Sequence, residues 1–274
     1  RIDRPAKAIA ANAWNDLGTV YLDQGNLDEA ERSLRNSIRL HEEVWGRKHA
    51  QLAAPIASLG AAMHLRHRFK DAERLYRRSL GILEKTDGRN HAALASVLNH
   101  LGSLRIEAGK YAEAEQLLFR GLRIAQENPQ ASWKERATMH CNLSAVYERL
   151  KQFGEAESHA RAALDIWRPH TGEAHPVYAL GLVQLAVCVA EQGRLEEAQA
   201  LGGQAVSTAE GSFGPEHPAF KEILYAYSLV LKASGDKREA KAYRKRAEQL
   251  RDAAESDSRR HSVDVSEFAP SDRR

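Results

Sequence analysis

Residues 17–31 read LGTVYLDQGNLDEAE, residues 59–73 read LGAAMHLRHRFKDAE, and residues 101–115 read LGSLRIEAGKYAEAE. The Leu-Gly pair thus stands at Leu17-Gly18, Leu59-Gly60 and Leu101-Gly102, 42 residues apart each time. At the same step it weakens to Leu143-Ser144, Leu185-Ala186 and Tyr227-Ser228. A second marker never slips: Ala30, Ala72, Ala114, Ala156, Ala198 and Ala240. A repeat of this length cannot bury its own apolar face, so each unit must stack on its neighbour. The spacing predicts an all-α solenoid: one array over 5–257, with repeats at about 5–46, 47–88, 89–130, 131–172, 173–214 and 215–257, and a tail over 258–274.

Within the first repeat, Ala13, Leu17, Val20 and Tyr21 recur at helical spacing until Asp23-Gln24-Gly25-Asn26 interrupts them. Leu27, Ala30, Leu34 and Ile38 then carry a second apolar stripe, which makes the unit a helix, a turn and a helix. The turn glycine returns as Gly109, Gly193 and Gly235, where a left-handed C-cap is required. His67 and Lys151 replace it in the second and fourth repeats, so those turns are expected to be strained. The glycine of the Leu-Gly pair lies inside a helix, where it costs about 1 kcal/mol against alanine. Its replacements Ser144, Ala186 and Ser228 are all small, as expected if the first and second helices approach closely there. Gly202-Gly203 is read in the same way. Pro55, inside the pattern of the second repeat, is expected to kink that helix or delay its start.

The links between repeats share a pattern. Gly46-Arg47-Lys48-His49-Ala50 aligns with Gly88 to Ala92, with Gly172-Glu173-Ala174-His175-Pro176, and with Gly214 to Pro218. Glycine ends one helix, and proline suits the first turn of the next. Asn128 to Trp133 lacks the histidine, and there Ser132-x-x-Glu135 reads as a capping box.

The form L-G-x-x-Y-x-x-x-G-x-x-x-E-A-E, followed by a second helix and then G-x-x-H-P, resembles the tetratricopeptide repeat of the kinesin light chain type, which is also common in bacterial multidomain proteins. It is fullest in Leu17 to Glu31 and Leu101 to Glu115, and the likeness covers about residues 5–255. The resemblance implies a right-handed superhelical α-solenoid of helix-turn-helix repeats. It also implies a concave face lined by the first helix of each repeat, which receives an extended peptide or a helix of another protein.

Counting from the column leucine at −5, −2, +2 and +5 gives the positions expected on that face. In the first four repeats it is polar, with Asn12, Asn15, Thr19, Ser96, Asn99, Ser103 and Thr138. Asn15 and Asn99 can pair with a peptide main chain, or alternatively bridge neighbouring helices. In the last two repeats the face turns apolar, with Leu180, Val183, Val187, Tyr225 and Leu229, a patch that calls for a cover. The tail offers one candidate. Residues 261–268 alternate polar and apolar in a strand-like way, and Val263, Val265 and Phe268 are expected to dock in a groove of this or a neighbouring molecule, the alternative being a disordered tail. Deleting residues 258–274 should raise the fluorescence of an apolar dye if the tail is a cover, and unchanged fluorescence would reject it.

Charge and composition narrow the classes. A net charge of +3 gives no reason to expect a nucleic-acid footprint or attraction to an anionic membrane, and no apolar run approaches the roughly 18 residues of a membrane span. The two cysteines, Cys141 and Cys188, fall in different columns and are read as free thiols, which mildly favours a reducing compartment such as the cytoplasm. The start at Arg1 without Met is read as a trimmed or processed form, which leaves an exported form open. His49, His91, His175 and His217 share one column at a spacing of roughly 10 Å, too far apart for a common metal ion. They are expected to hydrogen-bond within the links. No catalytic set, metal site or cofactor motif emerges. The expected function is a non-catalytic scaffold for a protein or peptide ligand. The alternatives are a regulatory or sensory region of a larger signalling protein, and self-association through the C-terminal groove or tail.

Overall fold

The structure, a computed structural model, describes residues 4–86, 92–128, 131–213 and 218–260. Every element among them is helical, as the 42-residue pattern requires. They group into two compact units, Arg1–Lys151 and Gln152–Arg274. The first holds α1 (Arg4–Asp23), α2 (Leu27–Trp45), α3 (Ala53–Leu65), α4 (Phe69–Thr86), α5 (Ala93–Glu107), α6 (Tyr111–Glu127) and α7 (Trp133–Arg149). The second holds α8 (Phe153–Thr171), α9 (Pro176–Glu191), α10 (Leu195–Phe213), α11 (Pro218–Ala233) and α12 (Lys237–Arg260).

In the first unit each helix packs on the next, and α1, α3, α5 and α7 also pack on one another in order. In the second, α9 touches α8, α10 and α11, and α11 touches α12. Contacts between near neighbours in sequence are what a stack of hairpins produces. The central odd-numbered helices are the more deeply packed. In α3, Ala53, Ile56, Leu59, Ala62 and Met63 are all buried, over about half of the helix circumference. The even-numbered helices bury one stripe, which in α2 runs Ala30, Ser33, Leu34, Ser37, His41 and Val44. Leu59 and Leu101 are each 3% exposed beneath their neighbours, whereas Leu17 of the first repeat is 38% exposed.

The Leu-Gly pair marks close helix crossings. A Cβ on Gly18 would stand 2.6 Å from Leu34, one on Gly60 2.6 Å from Tyr76, and one on Gly102 2.8 Å from Leu118. Gly202 lies directly under the ring of Tyr227, so Gly202-Gly203 is a packing feature as expected. Pro55 produces no kink. A short 3-10 turn, Ala50–Leu52, precedes α3, and Pro55 falls in the first turn of that helix, where no N–H is needed. The capping box is present in modified form. Ser132 Oγ accepts the N–H of Lys134 at 3.2 Å, and the Glu135 carboxylate accepts the N–H of Ser132.

The link histidines act as helix caps. His49 Nδ1 accepts the N–H of Gln51 at 3.3 Å, and His175 Nδ1 accepts that of Val177 at 3.2 Å. His91 and His217 lie outside the described residues, as do Val263, Val265 and Phe268. No disulfide joins Cys141 and Cys188. Among the described residues no helix is long and apolar enough to cross a membrane.

The turns separate as expected. Gly25, Gly109, Gly193 and Gly235 have φ between 69° and 90°, and among the described residues the two non-glycine positions of positive φ are His67 at 57° and Lys151 at 59°. A side chain there opposes its Cβ to the following carbonyl, at about 1–2 kcal/mol. His67→Gly should therefore raise stability by about 0.5–1 kcal/mol, the strain relief exceeding the entropy that glycine returns to the unfolded chain. Thermal denaturation checks this, and an unchanged or lower melting temperature would mean that the His67 ring, which packs edge-on to Phe69 at 5.7 Å, contributes more than the turn costs.

Candidate functional site

The face of the first unit made by α1, α3, α5 and α7 contains a cavity of about 360 Å³. It is lined by Thr19 and Leu22 of α1, by Ala54, Ala57 and Ala61 of α3, and by Ser96 of α5. These six come from all four columns that the sequence places on the binding face. Their size explains the hollow: alanine and serine on the central helices leave space that larger residues would fill. Asp23, Ser58, Ser79, His100 and Glu135 complete the polar lining.

Glu135 is the strongest polar group of the cavity. Burial holds its carboxyl above the ordinary carboxylate range, while the Ser96 hydroxyl and the Ser132 N–H pull it partly back. Burial likewise holds the His100 imidazole below its ordinary range, and the ring stacks on Tyr76 with centroids 5.1 Å apart. The cavity thus offers hydroxyls, the Asp23 and Glu135 carboxyls and a neutral imidazole. Such a lining receives N–H and O–H donors better than it receives an anion. Nearby, His64 Nε2 lies 2.7 Å from Glu107 Oε1.

The asparagines differ in role. Asn99 Oδ1 accepts from Asn142 Nδ2 at 2.8 Å, so Asn99 bridges α5 and α7, one of the two roles open to it from the sequence. Asn15 keeps a buried Oδ1 with no hydrogen bond, its amide nitrogen making a long 3.4 Å contact with Asp16. Asn12 Oδ1 lies 3.1 Å from His41 Nε2 and helps tie α1 to α2. Thr19 and Thr138 turn their hydroxyls to backbone carbonyls of their own helices, Asp16 and Lys134. Ser103 is half-buried on α5.

In the second unit, Tyr225 and Leu229 are 45% and 43% exposed on α11, and Leu180 and Val187 are half-buried on α9. Val183 is 6% exposed, part of the packing of α9 and not of an open surface. The Arg244 guanidinium lies over the Tyr225 ring, 5.8 Å from its centroid.

Burial pushes the Cys141 thiol up to about 12, so it is no nucleophile at neutral pH. Among the described residues no group of three or more His, Cys, Asp or Glu side chains is placed to hold a metal ion. The sequence reading missed Glu135 as a lining residue because its position beside Ser132 made it a capping residue; it is both. Its place eight residues before the column Leu143, one further turn along the binding-face columns, is the signal that identifies it.

Comparison with known proteins bears on the repeats and the fold. The tetratricopeptide repeat model matches residues 9–85, 58–127, 135–210 and 179–253. No protein of curated function matches the chain. Among solved structures, BtubC (BKLC) from P. vanneervenii is similar at 23% identity and TM-score 0.64, over 92% of this chain and 95% of that one. PilF of Pseudomonas aeruginosa is similar at 20% identity and TM-score 0.61, over 86% and 90%. A putative kinesin light chain of Podosopora anserina with nearly identical TPR-like repeats is similar at 20% identity and TM-score 0.56, over 73% and 94%. At these identities the likeness is one of fold.

Proposed function

The chain belongs to the tetratricopeptide repeat family, and we propose that it is a non-catalytic scaffold that holds an extended segment of a partner protein on the α1–α3–α5–α7 face of its first unit. The tetratricopeptide repeats support a protein–protein interaction scaffold. The particular face rests on one observation, the cavity whose lining gathers small residues of three columns and Leu22 of the fourth at one place. A hollow floored by alanines lets a backbone approach, and the polar groups at its edge then pair with main-chain N–H groups. The exposed Tyr225 and Leu229 give the second unit an apolar contact surface of its own.

A random peptide library displayed on phage tests this. Selected peptides should bind the parent, lose about tenfold or more in affinity to Ala57→Trp, which fills the cavity, and compete with one another. Equal binding to a folded Ala57→Trp variant would place recognition elsewhere.

A further inference from the structure

The outer side of the first unit has a second surface, distinct from the α1–α3–α5–α7 face. Between α2 and α4 runs a cleft of about 740 Å³, lined by Arg47, Lys48, Arg77 and Lys85 around Gly81 and Ile82. A second cleft of about 430 Å³ is lined by Arg35, Arg39 and Arg74 with Ile38, Leu59 and Leu75. Both clefts include Glu42 and Arg78, which pair at 2.6 Å. The two linings together hold eight cationic side chains and one carboxylate.

Arg47 and Arg78 both meet Glu42, and the other four arginines are paired only along their own helices. Arg35 meets Glu31 at 2.7 Å, Arg39 meets Glu43 at 2.8 Å, Arg77 meets Glu73 at 2.7 Å, and Arg74 meets Asp71 at 3.3 Å. The Arg35, Arg39, Arg74 and Arg77 side chains stay 59–78% exposed in these pairs. Exposed pairs of this kind are worth about 0–1 kcal/mol, so an incoming carboxylate exchanges with them at little cost. A guanidinium also has five N–H donors, and one carboxylate engages two at most.

We infer that this α2–α4 cleft docks an acidic peptide segment carrying aliphatic side chains. Forked guanidiniums match carboxylates, and Ile38, Leu59, Leu75 and Ile82 give an aliphatic floor. No aromatic side chain lines either cleft, so the stacking platforms that hold single-stranded nucleic acid are absent there. The 18 residues of α4 span about 27 Å, room for about eight extended residues. A net charge of +3 hides this surface because acids and bases interleave along the chain and cancel in the total.

The test is fluorescence anisotropy of the full chain with a labelled decapeptide of glutamate and leucine, its glutamine counterpart, and a single-stranded oligonucleotide. The glutamate peptide should bind, the glutamine peptide should not, and Arg39→Glu/Arg74→Glu/Arg77→Glu should weaken binding about 30-fold or more. Raising salt from about 50 to about 300 mM should weaken it as well. If the triple variant melts early, Arg39→Gln/Arg74→Gln should still weaken binding about fivefold. No binding of the glutamate peptide, binding indifferent to these variants, or tighter binding of the oligonucleotide lost in the same variants would each overturn the inference.

Discussion

Gly60→Ala should lower the melting temperature, although alanine is the better helix former. Inside α3 the exchange gains about 1 kcal/mol of helix propensity. Against it, the added methyl would stand 2.6 Å from Cε1 and 2.8 Å from Cδ1 of Tyr76, closer than carbon atoms approach. The Tyr76 ring is fully buried and cannot swing out. Relieving the clash means moving α3 off α4, and overpacking of this kind costs about 1–3 kcal/mol, more where the neighbours are rigid. A net loss of about 2 kcal/mol is expected. Gly81, in the interior of α4, is the control, because a Cβ there meets nothing within 4 Å. Gly81→Ala should raise stability by about 0.5–1 kcal/mol. Opposite signs for one chemical change, read by thermal denaturation, would establish that close approach and not helix propensity selects the glycine at 60. A neutral or stabilising Gly60→Ala would refute that.

Arg105→Ala should cost more, about 3 kcal/mol. Arg105 stands where the first repeat has Tyr21 and the fourth has Tyr147. It is 7% exposed and reaches Glu73 and Glu113, each at 2.6 Å. Its removal takes away a buried side chain's packing and leaves the part-buried Glu73 with only the exposed Arg77. The fourth repeat shows the neutral alternative: Tyr147 donates its hydroxyl to Glu115 at 2.6 Å, and these residues lie 42 positions beyond Arg105 and Glu73. Arg105→Tyr should therefore recover a large part of the loss. The pH dependence has a definite sign. The Arg105 hydrogen bond is the largest of the effects that hold the Glu73 carboxyl below its ordinary range, with burial opposing it. A depressed carboxyl stabilises the fold above its unfolded value, about 4.3, and that stabilisation fades as pH falls through the folded value. The gap between parent and Arg105→Ala should be full at neutral pH and narrow below about pH 4. A gap that stays constant would assign the loss to packing alone.

Much of this fold was legible in the sequence because the repeat makes each column its own control. Ala30, Ala72 and Ala114 are fully buried, the turn glycines are left-handed, and His67 and Lys151 take the strained conformation in their place. Four columns meet in one cavity. What was not legible depends on contacts across repeats. Asn99 looks the same whether it faces a ligand or Asn142, 43 residues on, and only the packing of α5 on α7 decides. The carboxylates at 31, 73, 115 and 157 are anchored from beyond their own helices, by Arg66, Arg105, Tyr147 and Gln192 in turn. Val183 fits an open apolar face by column, yet it is buried where α9 meets its neighbours. The cationic clefts escaped altogether, since interleaved charges cancel in composition.

Site-specific photo-crosslinking tests the central claim most directly. A benzophenone amino acid placed at Ala61, on the cavity floor, is compared with one at Gly81, on the α2–α4 side, using a peptide selected for binding to the parent. The account predicts an adduct from position 61 and none from position 81. An adduct from 81 alone, or none from 61 while the affinity is intact, would contradict it.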